Sequence, residues 1–109
     1  MGRYVPDKGD IVLLDFGPSA AKEIIKLRPV LVLKAVLNDH TGFSIVAPIT
    51  NTVRGMALGI PLQGTATHGV VLMCQLRSLD VASRNASFVE KVPASIINQT
   101  TEIAITVIR

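Results

Sequence analysis

The sequence predicts a mainly β chain, a small half-open barrel that ends in one α-helix. Three observations point there. Apolar residues come in short, β-branched blocks divided by turn residues, which favours strands over helices. The intervals between blocks leave no room for the crossover helices of a parallel α/β sheet. Near the C-terminus the apolar spacing changes to steps of three and four, one stripe of a helix.

The elements follow in order. Ile11 to Phe16 (IVLLDF) is entered through Lys8-Gly9-Asp10 and stopped by Gly17-Pro18. Gly17 to Arg28 carries no strand signal and reads as a functional loop or a short helix packed on the barrel. Val30 to Leu37 ends at Asn38-Asp39, and Phe43 to Ile49 begins after Thr41-Gly42. A weaker block covers Met56 to Leu62. Gly69 to Leu79 (GVVLMCQLRSL) reads as the longest strand, and Ser87 to Val92 as the last. Runs this continuous imply that both faces are buried, or that one face is core and the other an oligomer contact. Ile96, Ile97, Thr100, Ile103, Ala104, Val107 and Ile108 form the helical stripe, with Pro93 where a first-turn proline is tolerated. Abundant Ile, Thr and Val lower helix propensity, so a β-hairpin competes there.

Composition narrows the function. A chain of 109 residues is expected to form one domain over residues 1–109. Its 49% hydrophobic content and net charge of +3 exclude disorder. One cysteine, Cys74, excludes a disulfide scaffold, and Cys74, His40 and His68 make no ligand pair, so neither metal nor cofactor is expected. No apolar run reaches the about 18 residues of a membrane span, and the opening Met-Gly-Arg-Tyr-Val-Pro lacks a signal-peptide core, so a cytoplasmic protein is expected. The mild positive charge permits a polyanionic partner without requiring one. With no polybasic run, a nucleic-acid site would have to be assembled by folding from scattered arginines.

The familiar nucleotide-binding and hydrolase signatures are absent. Cys74, inside an apolar run, reads as a buried inert thiol. His40 reads as a solvated turn residue, and His68 opens a strand; their spacing does not support a two-histidine nuclease. Polar residues at strand ends remain. Arg28 stands before Pro29 and a buried strand, so it is held rather than waving from a loop. Thr50 follows Val-Ala-Pro-Ile and opens the polar loop Thr-Asn-Thr-Val-Arg-Gly, while Gln75 and Arg77 interrupt the longest apolar block. Each also has a structural explanation: a turn threonine, a surface cation, an outward face.

At these residues the chain resembles the MazF/PemK family of toxins from bacterial toxin–antitoxin pairs. Arg3-Tyr4-Val5-Pro6-Asp7-Lys8-Gly9-Asp10-Ile11-Val12 with Asp15-Phe16 is similar to the family's first strand. Arg28-Pro29-Val30-Leu31-Val32-Leu33 resembles its "RPavVL" motif and Val46-Ala47-Pro48-Ile49-Thr50 its "v-P-i-T" motif. His68-Gly69-Val70-Val71-Leu72, then Gln75-Leu76-Arg77-Ser78-Leu79-Asp80 and Arg84, resembles its "dQvrsiD…R" segment. Four motifs in order span essentially the whole chain.

The resemblance implies an SH3-like small β-barrel with a C-terminal helix, assembled as a homodimer. It implies a metal-independent endoribonuclease that cuts single-stranded mRNA. Arg28 and Thr50 match the family's catalytic arginine and threonine, and Glu23 matches by position a glutamate of the first long loop. It also implies a cognate antitoxin that inserts a disordered acidic tail into the RNA groove. The chain departs from the pattern at Cys74, where an aspartate often stands, at Leu27, and at Leu13 and Leu14, where some members carry an aromatic. Without tryptophan, stacking on bases would fall to Tyr4, Phe16, Phe43 and Phe88, or to arginine planes and hydrogen bonds.

The residue types suit that chemistry. Arg28 can give two hydrogen bonds to a phosphorane while staying charged. Thr50 can donate to the same phosphate or hold the 2′-OH, and Glu23 is a candidate proton acceptor. Gln75, Arg77, Arg84, Arg54 and Lys91 are candidates for contacts along the RNA. Two other readings share the fold: a toxin that binds DNA gyrase and cuts nothing, and an inactive SH3-like binding module.

Overall fold

The computed structural model describes residues 4–16, 27–34, 43–51, 59–81 and 84–108. Seven strands and one long helix occur among them: β1 (Asp10–Asp15), β2 (Leu27–Lys34), β3 (Phe43–Thr50), β4 (Gly59–Pro61), β5 (Val70–Leu72), β6 (Arg77–Asp80), β7 (Ser87–Lys91) and α1 (Ala94–Ile108). The sheet is antiparallel in the order β4-β5-β3-β2-β1-β7, with β6 also pairing β3. Among the described residues no pairing joins β4 to β7, so the barrel is half-open, as expected. Strand β2 begins at Leu27, three residues before the apolar block, and so takes in Arg28. The stretches 17–26, 35–37 and 56–58 of the expected elements lie outside the described residues.

The alternation along each strand explains the unbroken apolar runs. Ile11, Leu31, Ala47 and Ile49 face one way and pack with Val71, Val92 and Ile96 of the helix. Val12, Leu14, Val30, Val32 and Val46 face the other way and pack with Val81. Both faces of the central strands are therefore covered, which favours Val, Ile and Leu at successive positions.

The longest apolar block is not one strand. Strand β5 pairs the end of β3, with Ile49 opposite Val71 and Thr50 opposite Val70. Strand β6 pairs its beginning, from Phe43 opposite Asp80 to Val46 opposite Arg77. A 3-10 turn, Met73–Gln75, absorbs the offset between those two registers. Met73 is buried by the turn, whereas Cys74 and Gln75 are turned outward. Cys74 is thus an exposed free thiol, contrary to the expectation of a buried one.

The C-terminal stripe is a helix. Its threonines are accommodated because Thr100, Thr101 and Thr106 each donate a hydroxyl to the carbonyl four residues back, at 2.8, 2.7 and 3.1 Å. Ile96 and Thr100 are buried, but Val107 is 40% exposed and leaves the expected stripe. Gly9 lets the helix dock: its φ is +90°, and a Cβ there would stand 2.7 Å from Ile97 Cδ1. The Gly9 N–H donates to Val32 O at 2.8 Å, and its carbonyl accepts from Val92 N at 2.9 Å.

Candidate active site

Arg28 is the second residue of β2 and Thr50 the last of β3. The two strands pair with Val30 opposite Pro48 and Leu31 opposite Ala47. Continued by two residues, that register sets Arg28 across from Thr50. Opposed residues of an antiparallel pair present their side chains on one face. On the other side of β2, Arg28 is opposite Leu14 of β1. Pro29 favours the extended backbone that Arg28 adopts. Arg28 and Thr50 line a cleft of about 380 Å³ with Leu27, Pro29, Ile49, Asn51 and His68.

His68 arrives there because β5 runs close beside Thr50. Gly69, between His68 and the strand, has φ +139°, and a Cβ on it would meet the Thr50 carbonyl oxygen at 2.7 Å. Only glycine fits both the conformation and the approach. Before His68 the chain is held by a different element. Glu90 of β7 accepts hydrogen bonds from Ala66 N (3.1 Å), Thr67 N (2.7 Å) and Thr67 Oγ1 (2.6 Å). The Thr67 hydroxyl foremost, then the two N–H groups and the nearby His68 charge, hold the Glu90 carboxyl below its usual range against some desolvation.

Basic residues gather on the same face. Arg77 opens β6 opposite Val46, which shares its face with Thr50 four residues on. The Arg77 and Arg84 guanidinium carbons lie 5.9 and 5.0 Å from the Phe16 ring centroid. Arg84 also donates from Nη1 to Asp15 O at 3.1 Å. Phe16 packs against the Val12–Val46 side of the sheet. Gln75 sits exposed in the 3-10 turn just before Arg77.

Lys91 is engaged elsewhere. It pairs with Asp10 at 2.9 Å and with Asp7 at 3.7 Å, and donates to Lys8 O at 2.9 Å. Asp10, 3% exposed, also accepts from the Tyr4 hydroxyl and from Asp7 N. Burial pushes the Asp10 carboxyl up, but the Tyr4, Lys91 and Asp7 donors outweigh it and leave it below the ordinary value. This cluster ties the N-terminal turn to β7.

Glu23, Arg54 and His40 lie outside the described residues. Among the described residues no group of three His, Cys, Asp or Glu side chains is placed to hold a metal ion. Of the expected residues, Arg28 and Thr50 meet in one cleft, while Arg77 and Arg84 meet around Phe16. His68 is the cleft residue that sequence reasoning set aside. Its signal was the glycine that follows it, since a glycine entering an apolar strand often marks close backbone approach. A guanidinium, a hydroxyl and an imidazole around one polar opening suit a phosphodiester.

The chain matches the family model described as PemK-like, MazF-like toxin of type II toxin–antitoxin system over residues 7–108. The endoribonuclease toxin MazF of Escherichia coli K12 is 34% identical over 88 residues, which cover 80% of this chain and 79% of that protein. The endoribonuclease PemK of Escherichia coli is 32% identical over 99 residues, covering 85% and 74%. Among solved structures, the MazF chain of a MazE–MazF crystal form from Deinococcus radiodurans aligns with a TM-score of 0.84 and 33% identity, over 97% of each chain. With its motifs in order, its strands in the same arrangement and Arg28 beside Thr50, the chain belongs to the PemK/MazF family of type II toxin–antitoxin toxins.

Proposed function

We propose that the protein is a metal-independent endoribonuclease that cuts single-stranded mRNA and so arrests translation. The observation that carries this reading is the meeting of Arg28 and Thr50 in one cleft. RNA brings its own nucleophile. The 2′-oxygen attacks the adjacent phosphorus, the O2′–P bond forms and the P–O5′ bond breaks. Arg28 places its planar fork on the non-bridging oxygens and stabilises the charge that builds there. Thr50 holds the 2′-hydroxyl or the phosphate, and Glu23 accepts the 2′-proton. The arginines around Phe16 carry the strand past the cleft, with Gln75 and Arg54 as further contacts.

Two partners fit. Ile105, Val107, Phe88 and Val89 are 40–52% exposed, apolar surface that a second copy of the chain would cover. A cationic face built from Arg28, Arg77 and Arg84 suits the acidic tail of an antitoxin. The Deinococcus relative was solved with MazE. Such a toxin works in the cytoplasm as one domain over residues 1–109.

The test is to incubate the pure protein with RNA and sequence the ends. The expected products carry 2′,3′-cyclic phosphate and 5′-OH termini, and form in EDTA. Termini bearing 5′-phosphate, or cleavage abolished by EDTA, would overturn the mechanism. Intact RNA combined with inhibited gyrase would overturn the activity itself.

A further inference from the structure

Two protons move when RNA is cleaved through its own 2′-hydroxyl: one leaves that hydroxyl and one arrives at the departing 5′-oxygen. A guanidinium is a poor proton donor, and a threonine hydroxyl is too weak an acid to serve unaided. Among the described lining residues, His68 is the one further side chain, besides the Asn51 amide, with polar chemistry, and the one that exchanges protons. Imidazole is the side chain best suited to exchange protons near neutrality.

His68 is fixed on both sides, unlike a histidine in a free turn. The residue after it, Gly69, is pressed against the Thr50 backbone. The residue before it, Thr67, gives both its N–H and its hydroxyl to Glu90, at 2.7 and 2.6 Å. Glu90 comes from β7, on the far side of the sheet order from β5, so this anchoring is long-range and specific. Among the described residues, Arg28 from β2 lines the same cleft and Glu90 from β7 feels the His68 charge. A backbone held at two consecutive points presents its side chain in few orientations, as proton transfer requires.

We propose that His68 is a substrate-contacting acid of this cleft, giving its proton to the departing 5′-oxygen, and that Glu90 is the positioning residue that holds it there. The assignment rests on the ribonuclease reading above. As the O2′–P bond forms and the P–O5′ bond breaks, the 5′-oxygen takes the bonding electron pair and the imidazolium proton. The 2′-proton passes to the carboxylate base, and after release solvent takes that proton from the carboxyl and returns one to the imidazole.

The experiment uses the full chain and an RNA oligonucleotide carrying one mapped cleavage site, made with either oxygen or sulfur at the bridging 5′-position. Sulfur leaves as a thiolate and needs no proton. H68N is expected to lower kcat on the oxygen substrate about 10²-fold with KM little changed, yet to cut the sulfur substrate within a few-fold of wild type. E90A should reproduce part of the kcat loss on the oxygen substrate alone. E90Q, which keeps one acceptor oxygen for the turn, should recover much of it. H68N cutting both substrates like wild type, or losing both equally, would overturn the assignment while leaving the ribonuclease reading intact. Wild-type protein that cuts neither substrate would overturn both.

Discussion

A side chain at Gly69 would stand 2.7 Å from the carbonyl oxygen of Thr50. The wall of the cleft is therefore defined by the absence of a side chain as much as by the presence of Arg28 or Thr50. Gly69→Ala must accommodate both a clash with backbone and a φ of +139° that L-residues rarely adopt. The expected cost is about 1–3 kcal/mol, read as a lower Tm in thermal unfolding. Cleavage should fall further than stability does, because residual folded protein has Thr50 and His68 pushed apart.

Arg28 is exposed and Thr50 half-buried, so replacing either should leave the fold within about 0.5 kcal/mol of wild type. R28A and T50A are each expected to lower RNA cleavage by about 10²-fold or more. R28K should recover little, because an ammonium cannot present the planar two-pronged donor that a phosphate accepts. Cleavage rates on one oligonucleotide, beside unfolding curves, separate the two effects.

The Asp10 cluster predicts how stability responds to pH. The folded carboxyl titrates below the ordinary aspartate value, so its contribution is complete above that value and is lost as pH falls through the lower folded one. Tyr4 behaves oppositely. Burial first, then its hydrogen bond to Asp10 and repulsion from Asp10 and Asp7, raise its hydroxyl above the ordinary tyrosine value. That contribution is complete below the ordinary value and is lost as pH rises through the higher folded one. Denaturant unfolding of D10N should show a shallower acid limb than wild type, and Y4F a shallower alkaline one.

Arg77 and Arg84 around Phe16 predict the salt dependence of RNA binding. Each phosphate neutralised on a single strand contributes about −0.7 to the slope of log K against log salt. R77Q and R84Q should each flatten that slope by up to about this amount. R84Q should also lower Tm slightly, because Arg84 donates to Asp15 O. Binding is measured with T50A protein, so that the RNA survives.

Much of the fold was legible because burial on both faces of β1, β2 and β3 leaves its mark residue by residue. The same property hid the break at Met73–Gln75. A continuous apolar run carries no period, and only pairing with β3, decided by residues far away in the chain, shows that the run turns. Cys74 was misplaced for that reason. Arg28 and Thr50 stood out as polar residues at strand ends, but their meeting depends on the β2–β3 register, which no local window contains. His68 was set aside because a lone histidine near a glycine has a bland explanation until Glu90 is seen to hold the turn before it.

The pairing of β3 with β2, β5 and β6 bears on how such a toxin is made. Arg28 and Thr50 emerge from the ribosome early, but the wall carrying His68 and Gly69 follows later, and Glu90 and the helix after that. A half-translated chain carries both strand-end side chains without the wall that completes their cleft. The cleft is thus completed only when the last strand and the helix have been made.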